Sequence, residues 1–149
     1  MLSFNIKKIM GLLGYIDKLF KERLEKGYET IYIMVDIHNT ILRPSFEKEE
    51  TFKYFPYAKE TLQFLSKLGY IKLIMWTSCY DDKIQMYLNH FKENDIIFEY
   101  ANENPEYQNL SFACFDTKFY YDIGIDDKFG FDAETEWEKL YLYFTLTNK

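Results

Sequence analysis

Short apolar runs alternate along this chain with longer segments whose apolar residues recur every three or four positions, and this alternation restricts the fold more than any other feature. Residues 31–36 form a nearly continuous apolar run, which is typical of a strand covered on both faces. Strands that alternate with helices predict an α/β fold, in which right-handed crossovers place helices on both faces of a central parallel sheet. Further strands are predicted at residues 71–76, 95–100 and 120–125, and helices at residues 57–68 (capped by Gly69), 81–91 and 133–146.

The first residues of the chain carry a helical pattern of their own. Apolar residues recur at spacings of three and four across residues 2–25, which predicts an amphipathic helix. We expect residues 1–27 to form this extra N-terminal helix and residues 28–149 to form one domain, because 149 residues suit a single domain of ordinary size. The apolar stripe can pack on the domain, which is the default, pair with a second copy in a homodimer, or rest on a membrane surface.

The composition excludes several classes of protein. With 18 basic and 24 acidic residues, the net charge of −6 argues against a broad nucleic-acid-binding surface. No apolar run approaches the length of a membrane span. Cys79 and Cys114 lack the paired spacing of a zinc site and are too few for a disulfide framework. We therefore expect a cytoplasmic protein with two reduced thiols.

Polar residues follow three of the four predicted strands. Taken singly, each fits a turn, a helix cap or a solvated charge. In open parallel sheets, however, ligands bind beyond the carboxyl ends of the strands, so polar groups that converge there predict a binding site. The groups are Asp36-Ile37-His38-Asn39-Thr40 after the first strand, Thr77-Ser78 after the second and Asp126-Asp127 after the fourth, with Lys118 just before the fourth.

These residue types suit a cation and a phosphoryl group. Asp36, Asp126 and Asp127 gather negative charge at one edge of the sheet, where they repel one another unless a cation intervenes. Mg²⁺ fits, since it takes carboxylates, water and phosphate oxygens as ligands. Lys118 and the Thr77 hydroxyl can bind phosphoryl oxygens, and Asp36 can act as a carboxylate nucleophile.

Four segments, in order and each at or beside a strand end, resemble the four motifs of the haloacid-dehalogenase-like (HAD) hydrolase superfamily. They are Asp36-Ile-His-Asn-Thr40-Ile-Leu, Trp76-Thr77-Ser78, Lys118 and Ile125-Asp126-Asp127. The resemblance covers about residues 31–132. It implies a Rossmann-like three-layer sandwich with the strand of Asp36 at the centre of the sheet. It also implies a Mg²⁺-dependent phosphatase that forms an aspartyl-phosphate on Asp36.

The resemblance further implies a role for each matched residue. Asp36 is similar to the catalytic nucleophile, Lys118 to the lysine that steadies nucleophile and phosphoryl group, and Thr40 to the threonine that closes the first motif. Thr77 and Ser78 are similar to the phosphate-binding hydroxyls. The implied Mg²⁺ ligands are Asp36, the backbone carbonyl of His38, Asp126 and Asp127.

One position departs from the family pattern. Phosphatases of the family carry a second aspartate two residues after the nucleophile as general acid and base, and this chain has His38 there. An imidazole with a reference pKa of about 6.5 suits acid–base work, and residues two apart in extended backbone point the same way. The alternative is that His38 leaves a protein that binds phosphate and metal but is non-catalytic or weakly active.

The predicted site has no separate cap domain. About forty residues separate the first motif from the second, and the second from Lys118, and ordinary helices, strands and loops fill both gaps. We expect residues 43–55, with a solvated Arg43, to form a flap, and residues 101–117 to line one side. An open site admits a phosphorylated small molecule, a nucleotide or a larger phosphorylated partner. A third hypothesis is an interaction protein that works mainly through its N-terminal helix.

Overall fold

The structure, a computed structural model, describes residues 11–45 and 49–148. The chain divides into two compact units, Met1–Thr30 and Ile31–Lys149. Helix α1, Leu12–Lys26, lies in the first unit and ends at Gly27, whose left-handed backbone (φ 72°) lets its N–H bond to the Arg23 carbonyl over 2.9 Å. Residues 2–10 of the predicted N-terminal helix lie outside the described residues. The packing of its apolar stripe on the domain, on a second copy or on a membrane surface stays a prediction.

The second unit is built on a four-stranded, all-parallel sheet. Strands β1 (Ile31–Asp36), β2 (Ile71–Trp76), β3 (Phe98–Ala101) and β4 (Ile123–Ile125) lie in the order β3-β2-β1-β4. Every residue of β1 before Asp36 is buried, as its apolar run predicts. The predicted α/β fold with a central parallel sheet is therefore confirmed, and β1 lies inside the sheet between β2 and β4.

Strands β3 and β4 begin three residues later than the predicted strands at 95–100 and 120–125. Asp95 and Ile96 remain in the turn that ends the preceding helix, because their N–H groups bond to the carbonyls of Lys92 and Phe91. Asp95 has a left-handed backbone (φ 60°), which a strand does not allow. Tyr120 lies before β4, and its ring stacks on the Tyr107 ring with the centroids 4.0 Å apart.

In the described part of this unit, the helices that flank the sheet are α2 (Ala58–Lys67), α3 (Asp81–Glu93) and α4 (Glu136–Thr147). Helix α2 packs against α4 and β2, and α3 packs against β3. Gly69 was expected to cap α2, and this prediction is wrong: Leu68 is the cap, in extended backbone, and its N–H bonds to the Leu65 carbonyl. Residues Ile31–Lys149 form one compact unit, so no cap domain is inserted within its described part. Across residues 11–45 and 49–148, no helix has the length and apolarity needed to cross a bilayer.

The strand register decides which residues meet at the carboxyl edge of the sheet. Asp36, the last residue of β1, lies opposite Trp76, the last residue of β2. Val35 lies opposite Ile125, the last residue of β4, so the next residues in register are Asp36 on β1 and Asp126 just after β4. The ends of three neighbouring strands thus bring Asp36, Thr77 and Asp126 to one edge.

Candidate functional site

Three carboxylates meet at the carboxyl edge of the sheet. Asp36, Asp126 and Asp127 each offer one oxygen, and these oxygens lie within 4.8 Å of one another. They open into a cleft of about 330 Å³. The residues that line it are Asp36, His38, Asn39, Trp76, Thr77, Ser78, Asp126, Asp127 and Lys128. The cleft therefore brings together six of the seven residues that the sequence assigned to catalysis, phosphate binding and metal binding, and Lys118 is the exception.

A tight turn after β1 shapes the first wall of the cleft. The Ile37 carbonyl accepts hydrogen bonds from the N–H groups of Thr40 (3.3 Å), Ile41 (2.8 Å) and Leu42 (3.0 Å). Asn39 supplies the left-handed backbone (φ 62°) that such a reversal needs, and asparagine tolerates this conformation better than most residues. The turn carries the Thr40 side chain back towards Asp36.

The Thr40 hydroxyl joins the ends of β1 and β4. It donates to Asp36 Oδ2 at 3.0 Å and accepts from the backbone N–H of Asp127 at 3.0 Å. Its oxygen also lies 3.3 Å from Asp127 Oδ1. Thr40 has no exposed surface, and its carbonyl accepts a bond from the Trp137 indole. One buried residue therefore orients the Asp36 carboxylate and holds the backbone of Asp127 beside it.

Asp126 is held by the turn that follows it. The residue is only 4% exposed, and its Oδ1 accepts the backbone N–H of Lys128 at 2.9 Å. This bond caps the short 3₁₀ turn Asp127–Phe129. The same turn places Lys128 on the wall of the cleft, and its positive charge favours the ionised form of Asp126.

Burial dominates the electrostatics of the cluster. Removal from water raises the pKa of Asp36 from 3.8 to about 7, against the hydrogen bond from Thr40, which favours the charged form. The neighbouring carboxylates of Asp126 and Asp127 raise this pKa further. Burial also raises the pKa of Asp126. Because the charged forms are unfavourable together, the cluster gains from a cation that binds all three oxygens.

Thr77 and Ser78 line the opposite wall. Asn102 clamps the Thr77 backbone: its Oδ1 accepts the Thr77 N–H at 2.9 Å, and its Nδ2 donates to the Thr77 carbonyl at 2.8 Å. Thr77 Oγ1 accepts from the Cys79 N–H at 3.3 Å, so the hydroxyl proton remains to be donated into the cleft. The cap of α3 is Tyr80, not Thr77 or Ser78, so the alternative role as a helix cap is not what these hydroxyls perform.

The imidazole of His38 is part of a hydrogen-bonded chain. His38 Nε2 lies 2.7 Å from the Tyr87 hydroxyl, and this hydroxyl donates to Glu50 Oε2 at 2.8 Å. Burial and the Glu50 carboxylate raise the pKa of Tyr87, which keeps the phenol protonated. His38 therefore lines the cleft with a defined ring partner, while the role of its backbone carbonyl as a metal ligand stays a prediction.

The two lysines near the site differ in position. Lys118 is absent from the cleft lining and lies in a neighbouring cavity with Trp76 and Phe119. Lys128 lines the cleft itself, although sequence reasoning missed it. The position of Lys128 directly after the Asp126-Asp127 pair is the feature of the sequence that could have identified it.

Two segments, residues 43–55 and 101–117, flank the site. Residues 41–43 pair with residues 53–55 through backbone hydrogen bonds, which gives the predicted flap its hairpin form. The Arg43 side chain is exposed to solvent, as predicted, and it also bonds both oxygens of the exposed Glu134, at 2.5 and 3.0 Å. The loop predicted at 101–117 contributes Asn102 and Thr117 to a second cavity that shares Trp76 with the cleft.

Comparisons with known proteins bear on the fold alone. No protein-family model matches the chain. No curated protein matches its sequence. In structure it is similar to a conserved protein coded by a locus from Bacteroides thetaiotaomicron, with a TM-score of 0.60 and 21% identity. The match covers 80% of this chain and 93% of that one.

Proposed function

We propose that this chain is a Mg²⁺-dependent phosphomonoester hydrolase of the HAD-like type, with Asp36 as the nucleophile. One observation carries the proposal: three carboxylate oxygens lie within 4.8 Å of one another in a cleft that also holds the Thr77 and Ser78 hydroxyls. Carboxylates at this spacing suit a hard divalent cation, and hydroxyl donors beside them suit a phosphoryl group. The order of the four motif segments supports the same assignment.

The residues of the cluster fit Mg²⁺ as a cofactor. Asp36, Asp126 and Asp127 would hold the ion, with the His38 carbonyl as a further oxygen ligand. The bound ion supplies positive charge that neutralises the carboxylates and the phosphoryl oxygens. The chain's own part is to keep the ligands in place: the Thr40 hydroxyl donates to Asp36 Oδ2 and accepts the backbone N–H of Asp127.

Hydrolysis proceeds in two displacements. Asp36 attacks phosphorus, the bond from phosphorus to the leaving oxygen breaks, and that oxygen takes a proton from an acid in the cleft. Water then attacks the phosphorus of the aspartyl-phosphate, gives its proton to the same group and releases phosphate. His38 is the proposed acid and base, since it lines the cleft two residues after Asp36.

A specific observation favours a second candidate, a binding protein with little or no turnover. Lys118, the lysine that the resemblance makes part of the machinery, lies in the neighbouring cavity with Phe119 and Phe129. A site that keeps its carboxylates but lacks this lysine can still bind metal and phosphate. Lys128 supplies a positive charge at the cleft in its place.

The proposed function leaves several classes of substrate open. A cleft of about 330 Å³ suits a phosphorylated small molecule, a nucleotide or a phosphoryl group on a larger partner. A cytoplasmic location and a homodimer formed through the N-terminal helix are further proposals. Removing residues 1–27 and measuring the oligomeric state by sedimentation tests the dimer, which predicts a change from two chains to one.

A matched pair of variants tests the phosphatase. We expect the wild-type protein to hydrolyse a chromogenic aryl phosphate only when Mg²⁺ is present. Asp36→Asn should abolish hydrolysis, whereas Asp82→Asn, an exposed change on α3, should leave it intact. Hydrolysis that survives Asp36→Asn contradicts the proposal. Stabilisation by phosphate and Mg²⁺ without hydrolysis at any pH supports the binding protein instead.

A further inference from the structure

We propose that Tyr87 and Glu50 are positioning residues for His38. The chain of hydrogen bonds from Glu50 through Tyr87 fixes the orientation of the ring and holds the proton of a neutral imidazole on Nε2, so Nδ1 is the ring nitrogen left to contact the substrate. The inference rests on the proposed phosphatase function and adds two residues that no motif of the resemblance includes.

The direction of the bonds follows from counting protons. A phenol has one hydrogen to donate, and an ionised carboxylate can only accept. Tyr87 gives its hydrogen to Glu50 Oε2 at 2.8 Å, so its oxygen must accept from His38 Nε2 at 2.7 Å. The proton of a neutral His38 ring therefore lies on Nε2, and Nδ1 keeps the lone pair.

Packing holds each member of this chain in place. Tyr87 is 2% exposed, and its ring meets the His38 ring edge-on, with centroids 5.4 Å apart at 78°. The Phe52 ring also meets Tyr87 edge-on, at 6.1 Å. The second oxygen of Glu50 accepts the Phe52 N–H at 3.2 Å, so both oxygens of this carboxylate are held by hydrogen bonds.

A fixed imidazole serves both displacements. When the bond from phosphorus to the leaving oxygen breaks, the proton on Nδ1 of the imidazolium passes to that oxygen. When water attacks the aspartyl-phosphate of Asp36, its proton returns to Nδ1 and phosphate leaves. The Nε2–H bond to Tyr87 persists throughout, so His38 can exchange protons without losing its orientation.

Dependence on the leaving group separates positioning from a general structural effect. An activated aryl phosphate needs little protonation of its leaving oxygen, whereas an alkyl phosphate needs it strongly. Tyr87→Phe should lower kcat for the alkyl ester by about tenfold or more and change kcat for the aryl ester by less than about threefold. Tyr54→Phe is the matched control, because Tyr54 makes a similar bond, 3.1 Å, to His90 away from the cleft. Equal losses on both esters, or no loss on either, overturn the proposal.

A spectroscopic readout needs no activity. The chain has only two histidines, so ¹⁵N imidazole resonances of the neutral rings can be assigned with the two tyrosine variants. We expect the Nε2–H tautomer for His38 and loss of this preference in Glu50→Ala, where the Tyr87 hydrogen becomes free to bond to Nε2. Finding the Nδ1–H tautomer in the wild-type protein, or no change in Glu50→Ala, overturns the inference. Absence of hydrolysis in the wild type refutes the proposed phosphatase function. The spectra still test whether Tyr87 and Glu50 hold the proton of His38 on Nε2.

Discussion

The indole Nε1–H of Trp137 donates a hydrogen bond to the Thr40 carbonyl over 2.6 Å, in a place where neither residue is exposed. The hydroxyl of the same threonine contacts Asp36 and Asp127. Helix α4 therefore supports the turn that arranges the carboxylates, although it contributes no residue to the cleft lining. A substitution in the core beneath α4 should therefore alter the arrangement of the carboxylates through this hydrogen bond.

Trp137→Phe tests the support directly. The ring is kept in part, but the buried Thr40 carbonyl loses its donor, which costs about 1–3 kcal/mol of the free energy of unfolding. Urea unfolding followed by circular dichroism measures the loss. Trp76→Phe, at the chain's other tryptophan, which is 39% exposed, is the control and should change stability by less than about 0.5 kcal/mol. Equal stability of the two variants contradicts the prediction.

Thr40→Val should weaken Mg²⁺ binding as well as stability. Valine keeps the shape but removes the group that donates to Asp36 and accepts from the Asp127 N–H, so two hydrogen bonds are lost at about 1 kcal/mol each. We expect isothermal titration calorimetry to show an affinity for Mg²⁺ about tenfold lower. Thr40→Ser retains the hydroxyl and should bind nearly as the wild type does. If the two variants bind alike, the hydroxyl does not organise the site.

Much of the fold follows from local patterns, and much of the site from its position along the strands. Apolar runs identified β1 and β2 at their observed bounds, and residues at strand ends included Asp36 and Asp126. Contacts between distant residues gave no such signal. Trp137 lies 97 positions from Thr40, and Tyr87 lies 49 positions from His38, so neither pairing has a pattern that a single sequence displays.

The affinity for Mg²⁺ should rise with pH. The pKa of Asp36 is raised to about 7 in the folded protein, above its ordinary value of 3.8. The stability contributed by the protonated carboxyl is therefore complete below about pH 4 and is lost as pH rises through about 7. Since Mg²⁺ needs the carboxylate, its binding releases protons and stabilises the protein more at pH 8 than at pH 5.5.

Thermal unfolding with and without Mg²⁺ at these two pH values measures the effect. Asp36→Asn should reduce both the stabilisation and its dependence on pH, because an amide does not titrate in this range. A shift in Tm that is equal at both pH values contradicts the role of Asp36 as a ligand.

Asn102 should matter for phosphate binding although it carries no charge. Its amide bonds both backbone groups of Thr77, and its left-handed backbone (φ 57°) means that Asn102→Gly removes the side chain without strain. We expect KM for a phosphate ester to rise by about tenfold, with kcat changed less, because Thr77 loses its fixed orientation. Asn102→Asp keeps the acceptor for the Thr77 N–H and should lie between wild type and glycine. An unchanged KM in the glycine variant would show that the clamp has no role in binding.

The two lysines give opposite predictions for the phosphate site. Lys128 lines the cleft and Lys118 lies in the neighbouring cavity, and both are exposed, so neither substitution should unfold the protein. Lys128→Met should weaken competitive inhibition by inorganic phosphate by about tenfold, since a positive charge at the anion is lost. Lys118→Met should weaken it less, because Lys118 lines the other cavity. Inhibition constants for the two variants, measured at the same ionic strength, decide between them. A larger loss in Lys118→Met would return to Lys118 the role that the motif resemblance implies, and would mean that its side chain reaches the cleft when phosphate is bound.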